Sequence, residues 1–519
     1  MAERTNPTEP ETESIPPEEN GVAREVGRLL LAVGCLGVMG YMAWRGGNFA
    51  KQVPMPSQLV DVTTMTQEVL ELCGPPAKNG NPTVISMLYS QDKEGWVERA
   101  AQRFARLCPN IQVKLTVMGD IASADAILAG EEHPTLWSPA DDLVMRYLDY
   151  RWKQKFSEVL FSIDRQVSLV QSPLVVLIWE DRLQVLERIL TSKRSDDGVW
   201  MQSTCPLVPK DPDLAAISPQ DMVPGTWIDW YGPLLPPPPK KVSAFAKKAA
   251  AKKAEKEEYH APFPTPQQIL SWGRVKFAHT SPSRSASGLE ALYLMAYDYA
   301  LPPKERSAPS GRRAASGAAT EGANASIRGS EHLRVPFEDA FEKRKAAFQR
   351  WLRRCEFGLE GELESAKLLT DTMFHVGDDL YDGVLTYEHL TFDVLRQIDG
   401  HASVMTEVRV LYPEPTIVNQ HPVVVMRPAD PALSAEHEAA AKWIAFLRSK
   451  EMQQTAIEYG FRPATSEVSI RTYDVPENPF LQMRRYGVSF DSTLVEPPRL
   501  DGKIIREIVT IWEDATGRN

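Results

Sequence analysis

The spacing of apolar positions changes several times along this 519-residue chain, and each change predicts an element. Residues 83–88 form a short apolar run, and 89–95 turn polar. Over 96–107 the residues Trp96, Ala100, Phe104 and Leu107 recur at helical spacing. Pro109-Asn110 marks a turn, and 111–117 alternate as a strand. A helix at 123–129 and a strand at 135–137 follow. This β-α-β-α-β order predicts a mostly parallel sheet with helices on both faces, an α/β class.

The pattern resumes as a second α/β lobe. Strands are expected at 174–179, 275–279, 383–386, 403–411 and 421–426. Helices are expected at 185–190, 288–299, 337–357, 364–374, 435–448 and 452–459. The apolar, β-rich stretch 423–426 fits a strand returning through a hinge. Two insertions interrupt the periodicity, 234–264 with its proline and Lys/Ala/Glu runs, and 301–332, rich in Pro, Ser, Gly, Ala and Arg. Both read as solvated loops.

The N-terminal part has a different composition. The first 19 residues carry six Glu, one Arg and four Pro, so 1–24 are expected to be a disordered acidic leader. Residues 29–44 hold no charge and are bracketed by Arg28 and Arg45. As a helix they reach roughly 24 Å, and the flanking arginines can snorkel to complete a bilayer span. Ala32-Val33-Gly34-Cys35 loosely resembles a lipobox, but the apolar run continues past Cys35. An uncleaved signal anchor over 25–46 fits best, as a single N-terminal transmembrane helix. A tether at 47–80, a two-lobe domain at 81–470 and a C-terminal extension at 471–519 complete the expected organisation.

A net charge of −11 argues against a nucleic-acid partner, and the basic run 240–256 reads as a solvated loop. Beyond the membrane segment lie Cys73, Cys108, Cys205 and Cys355, with no metal-type Cys/His spacing. One or two disulfides, or four buried thiols, are both compatible with this set.

Ligands of open α/β sheets bind at the carboxyl ends of strands. Hydroxyl residues recur at those exits: Ser90 after the first strand, Ser123 near the second, Ser138 after the third. Thr280-Ser281-Pro282-Ser283-Arg284-Ser285-Ala286-Ser287-Gly288 precedes an apolar helix, and Tyr387 ends a late strand. Such a cleft supplies neutral donors and a helix N-terminus, which suits a dehydrated oxyanion better than acid–base catalysis. No G-x-S-x-G, phosphate-loop or H-E-x-x-H motif is present, so no catalytic residue, metal site or cofactor is expected. Asp120, Asp141 and Asp142 do not match a calcium-loop spacing.

Several segments, in this order, resemble the bacterial extracellular solute-binding proteins related to the molybdate-binding family. The resemblance is nearest to a membrane-associated branch often found with von Willebrand A domains. It rests on His133-Pro134-Thr135-Leu136-Trp137-Ser138-Pro139-Ala140, Ser172-Pro173-Leu174, and Trp272-Gly273-Arg274-Val275 through Ser281-Pro282. Thr386-Tyr387-Glu388, His421-Pro422 and Tyr459-Gly460-Phe461-Arg462-Pro463-Ala464 extend it. It implies a two-lobed periplasmic-binding-protein-like fold (type II) that closes on a ligand, with Ser90, Ser123, Ser285, Ser287 and Tyr387 as contacts, to which the strand-exit pattern adds Ser138. It also implies that the main domain is periplasmic or extracellular; together with the signal anchor this predicts an inner-membrane, single-pass protein feeding an ABC-type permease or a membrane sensor. The alternative is a scaffold that keeps the fold without binding a small ligand. A receptor predicts convergent donors in an open cleft, and a scaffold predicts a cleft filled by side chains.

Overall fold

The computed structural model describes residues 73–74, 81–192, 226–228, 263–302, 306, 320–322, 325–356, 363–400, 407–428, 430–473, 478–490 and 493–518. The acidic leader, the apolar segment 29–44, most of the tether and most of both insertions lie outside them. Among the described residues, no helix is long and apolar enough to cross a membrane.

The first sheet is built from β1 (Thr83–Tyr89), β2 (Ile111–Val117), β3 (Leu136–Ser138) and β4 (Val167–Ser168), with helices α1 (Glu94–Leu107), α2 (Asp120–Ala129) and α3 (Asp142–Lys155). The chain then crosses into a second sheet. It forms β5 (Val170–Trp179), α4 (Glu180–Ser192), β6 (Phe277–Ala278), α5 (Ala286–Ala300), β7 (Thr320–Gly322), β8 (Ala325–Gly329), α6 (Arg334–Glu356) and α7 (Ala366–Val376). Next come β9 (Gly383–Tyr387), α8 (Glu388–Gly400) and β10 (Val408–Leu411). It returns through β11 (Val418–Asn419) and β12 (Pro422–Val425), followed by α9 (Ser434–Leu447), α10 (Lys450–Glu458), β13 (Arg462–Pro463), β14 (Thr493–Glu496) and α11 (Gly502–Thr516).

The strand orders are β2-β1-β3-β12-β4 and β10-β5-β9-β6, and β14-β8-β7 form a small third sheet. β1 pairs in parallel with β2 and β3, as βαβ connections require. β12 is the return strand and runs antiparallel to β3. The two chain crossings, β4 to β5 and β11 to β12, form the hinge between the lobes. β5 starts at Val170, ahead of the expected 174, because its partners change along its length. It pairs β13 at Val170, β11 at Pro173, and β9 from Leu174 onward. Pro173, which has no N–H to donate, therefore sits where one pairing gives way to another.

Helices begin earlier than the apolar spacing alone indicates. α1 starts at Glu94, α2 at Asp120 and α4 at Glu180, each with an acidic residue in its first turn, where the helix dipole favours it. The strand read over 275–279 is confined to Phe277–Ala278. Of the strand read over 403–411, Val408–Leu411 is described.

Two expectations change. Part of the 301–332 insertion is a strand, since β8 pairs antiparallel with β7 and parallel with β14. The C-terminal extension is integral to the fold. α11 packs on α3 of the first lobe and on α5 and α6 of the second. A continuous core accordingly joins Trp137, Val144 and Leu148 to Leu292, Trp351 and Trp512.

Cys73 and Cys108 form a disulfide across 35 residues, and Cys355 is also disulfide-bonded. Disulfides point to an oxidising compartment. Closing a loop of this length restricts the unfolded chain. The double variant Cys73→Ser/Cys108→Ser is expected to lose about 2–4 kcal/mol in denaturant titration. An unchanged midpoint would refute that stabilising role.

Candidate ligand-binding site

The strand exits of the first lobe are fastened to one another. The Ser90 N–H donates to the Ser138 carbonyl at 3.0 Å. The Ser90 hydroxyl caps the short turn Gln91–Lys93, accepting from the Asp92 N–H at 3.4 Å and donating to Asp92 Oδ2 at 3.2 Å. Lys93 is buried, and its Nζ donates to the Pro139 carbonyl at 3.1 Å. Asp120, the first residue of α2, accepts from the Ala140 N–H at 2.8 Å. Three loops thus carry Asp92, Lys93, Asp120, Ser138 and Asp141 to one end of the sheet.

The second lobe faces them with α5, β9 and the start of α8. Gly288 lies in the first turn of α5, where a Cβ would come within 2.7 Å of the Ser281 carbonyl oxygen. Glycine therefore lets the Ser-rich turn lie flat against its own helix. The turn bonds to itself: Ser285 and Ser287 hydroxyls are 3.1 Å apart, and Ser287 meets the Thr280 hydroxyl at 2.7 Å. One turn further along α5, Glu290 is fully buried. It accepts from the Tyr387 hydroxyl at 3.1 Å and from Asn419 Nδ2 of the hinge at 3.2 Å. His389 crosses between lobes, with Nδ1 at 2.9 Å from the Ser172 hydroxyl and Nε2 at 2.9 Å from the Asp92 carbonyl.

Burial dominates the electrostatics. It pushes the carboxyls of Glu290 and Asp141 well above the usual range, with Asp141 adding to the shift of Glu290 and Asp142 to that of Asp141. Asp92 rises to about 7, through burial and then Asp120, with Lys93 opposing. Burial lowers Lys93 to about 8. It lowers His389 to about 3 and His421 well below the usual range, so both imidazoles are neutral.

Several polar atoms here have no partner among the described residues: Asp92 Oδ1, Ser138 Oγ, Asn419 Oδ1 and both ring nitrogens of His421. Asn419, Ser138 and His421 are fully buried. Unmet polar atoms in a fold interior each cost about 1–3 kcal/mol. His421 also holds φ at +39°, a left-handed backbone that is rare outside glycine and is found at functional sites.

Of the six sequence-predicted contacts, the structure brings Ser90 beside Ser138, and Ser285 beside Ser287. Tyr387 reaches α5 through Glu290. Ser123 is turned into the core, donating to the Asp120 carbonyl at 2.7 Å and accepting from Trp137 Nε1 at 2.9 Å. No hydrogen bond among the described residues joins the first-lobe serines to those of the second lobe. Sequence reasoning missed Glu290, His389 and Asn419, and gave Asp120 and Asp141 no role once calcium was excluded. An acid inside the apolar run of α5 was the one available signal.

Beside this polar cluster a cavity of about 620 Å³ opens between the lobes. Asp141 and Leu143 of the first lobe, Tyr293 of α5, Val418 and Gln420 of the hinge, and Glu496 of β14 line it. An α/β chain of two lobes, with crossing strands and buried polar side chains where the lobes meet, has the architecture of a protein that encloses a small molecule. The model of the bacterial extracellular solute-binding proteins matches residues 85–462. The chain belongs to that family.

Solved structures are similar at low identity. The ferric binding protein from Campylobacter jejuni shares 10% identity at a TM-score of 0.42, covering 83% of this chain and 99% of that one. The sulfate-binding protein SubI from Mycobacterium tuberculosis shares 12% at 0.36, covering 80% and 94%. The substrate binding domain of a putative molybdenum ABC transporter from Clostridium difficile shares 11% at 0.30, covering 74% and 99%. No curated protein matches the sequence.

Proposed function

We propose that this chain is an extracytoplasmic receptor of the type II, two-lobed kind that captures a small solute in the interlobe chamber. In this reading it is held to the inner membrane by residues 29–44 and passes its solute, or the fact of its binding, to an ABC-type permease or membrane sensor. One observation carries the solute-binding reading: unpartnered, buried polar atoms from the first lobe and the hinge gather where two lobes meet. A solute would supply the missing partners. Ser138, with its free hydroxyl, is the best supported of the expected serines, and Ser123, bonded on both sides, the least.

The full-length chain would be heated with panels of oxyanions, sugars, amino acids and amines. A ligand that binds the closed state stabilises it by about 2.7 kcal/mol at a hundredfold excess over its dissociation constant. A melting shift with one class, lost in Ser138→Ala, is the expected outcome. Silence across every class would sink the receptor reading. It would favour the second reading, a scaffold with a filled cleft. That alternative draws on the direct His389–Asp92 bond between lobes and on the self-paired serines.

A further inference from the structure

We infer that the solute of this chamber is an organic cation, an amine or a guanidinium, seated between the Glu290 carboxyl and the unpartnered carbonyl oxygen of Asn419. The inference rests on the receptor reading above and names the class of its ligand.

The first support is the balance of charged groups. Glu290 is bonded to the Tyr387 hydroxyl, and the fields of Asp92, Asp120 and Asp141 also reach that phenol, so the buried acids here outnumber the buried bases. Lys93 is the buried cation facing them among the described residues, and it acts on Asp92 and Asp120. Glu290 is met instead by neutral donors, the Tyr387 hydroxyl and the Asn419 amide. An oxyanion placed here would oppose ionisation of these acids, as burial already does, whereas a cation would favour their ionised forms.

The second support is independent of charge. The unpartnered atoms include acceptors: Asn419 Oδ1 and Asp92 Oδ1. Asn419 is fully buried, and its Nδ2 already donates to Glu290. Its oxygen, on the same amide, therefore stands beside that carboxyl. A neutral His421 contributes one further acceptor nitrogen and one N–H donor. Unmet acceptors call for a ligand rich in donors. An ammonium brings three and a guanidinium five, and neither has an acceptor of its own. Among the described residues no group of three or more His, Cys, Asp or Glu could hold a metal ion. Carboxyls dispersed in this way fit the extended donors of an organic cation.

Cation binding is coupled to proton release. Burial favours the protonated forms of Glu290 and Asp141. Glu290 faces Tyr387 of β9, Asn419 of the hinge, and Asp141 and Asp120 of the first lobe. Asp141 faces Asp142, Glu496 and Arg499. A bound cation draws these carboxyls into the ionised form, so affinity rises with pH. The gain is about tenfold per pH unit for each proton released.

The test is calorimetric titration of the full-length chain with putrescine, agmatine, molybdate, sulfate and glucose, at pH 6 and pH 8 and in two buffers of different ionisation enthalpy. Putrescine or agmatine is expected to bind more tightly at pH 8 and to release protons. Glu290→Gln keeps a partner for Tyr387 and Asn419 and should weaken that binding by about thirtyfold or more. Should that variant fail to fold, proton release by the wild-type chain decides. Binding of molybdate, sulfate or glucose without the amines would overturn the ligand class and leave the receptor reading standing. Amine binding indifferent to pH and to Glu290→Gln would overturn the placement. No binding by any probe would remove the receptor reading, and the inference with it.

Discussion

Arg462→Met is expected to lower the stability of the chain by about 3–5 kcal/mol. Arg462 and Glu388 are both fully buried. The guanidinium donates to Glu388 through Nε at 2.7 Å and through Nη2 at 2.6 Å. Nη2 also donates to the Ser489 carbonyl at 2.8 Å, and the Tyr412 hydroxyl donates to the same carboxylate. The pair fastens β13 and the segment around Ser489 to the first residue of α8. Methionine fills much of the space but leaves the Glu388 charge buried without its counter-ion, the costly half of a broken pair. Glu388→Leu strands the arginine in the same way. Arg462→Met/Glu388→Leu removes both charges and should cost less than either single change. Denaturant titration of the three variants closes a double-mutant cycle. A loss under about 1 kcal/mol for Arg462→Met would contradict the assignment. Because Glu388 follows Tyr387 and precedes His389, the pair also sets where those two side chains stand in the chamber.

Much of the architecture was legible because it depends on local periodicity. The apolar run at 83–88 became β1, and the alternation at 111–117 became β2 with the same limits. The return strand read at 423–426 overlaps β12 over 423–425, beside β3. The chamber was less legible because its bonds join residues far apart in the chain. Glu290 and Asn419 are 129 positions apart, and His389 and Asp92 are 297 apart. No spacing rule reaches across such intervals. The serines were noticed because hydroxyls favour strand exits and helix caps, and several of them satisfy one another or the core there. The charge of the chamber had the weakest signal. Glu290 apart, each of its acids, taken singly in the sequence, looked like a helix-start residue or a solvated side chain. The clearest departure is at the C-terminus, where a segment beyond the matched family region carries β14 and α11.

That segment bears on how the lobes move, and Trp512→Ala tests it. Trp512 is fully buried on α11, with Ile508 and Val509 beside it in the same core. α11 is anchored to both lobes. On α3, Arg506 Nη1 donates to the Tyr147 hydroxyl at 3.2 Å. On α6, Arg353 Nε donates to the Ala515 carbonyl at 3.0 Å, and Lys345 pairs with Glu507 at 2.8 Å. The lobes therefore cannot part without breaking one of these interfaces. Truncating a buried tryptophan costs about 3–5 kcal/mol through lost contacts and the cavity left behind. The variant is expected to lose that much in denaturant titration. Its radius of gyration in solution scattering should also exceed that of the wild-type chain, as the two lobes separate more readily. Arg506→Ala, which loosens the α3 side alone, should produce the same expansion with a smaller loss of stability. A variant that loses stability with no change in radius would show that α11 supports the second lobe without restraining the first. The chamber would then open independently of the C-terminal helix.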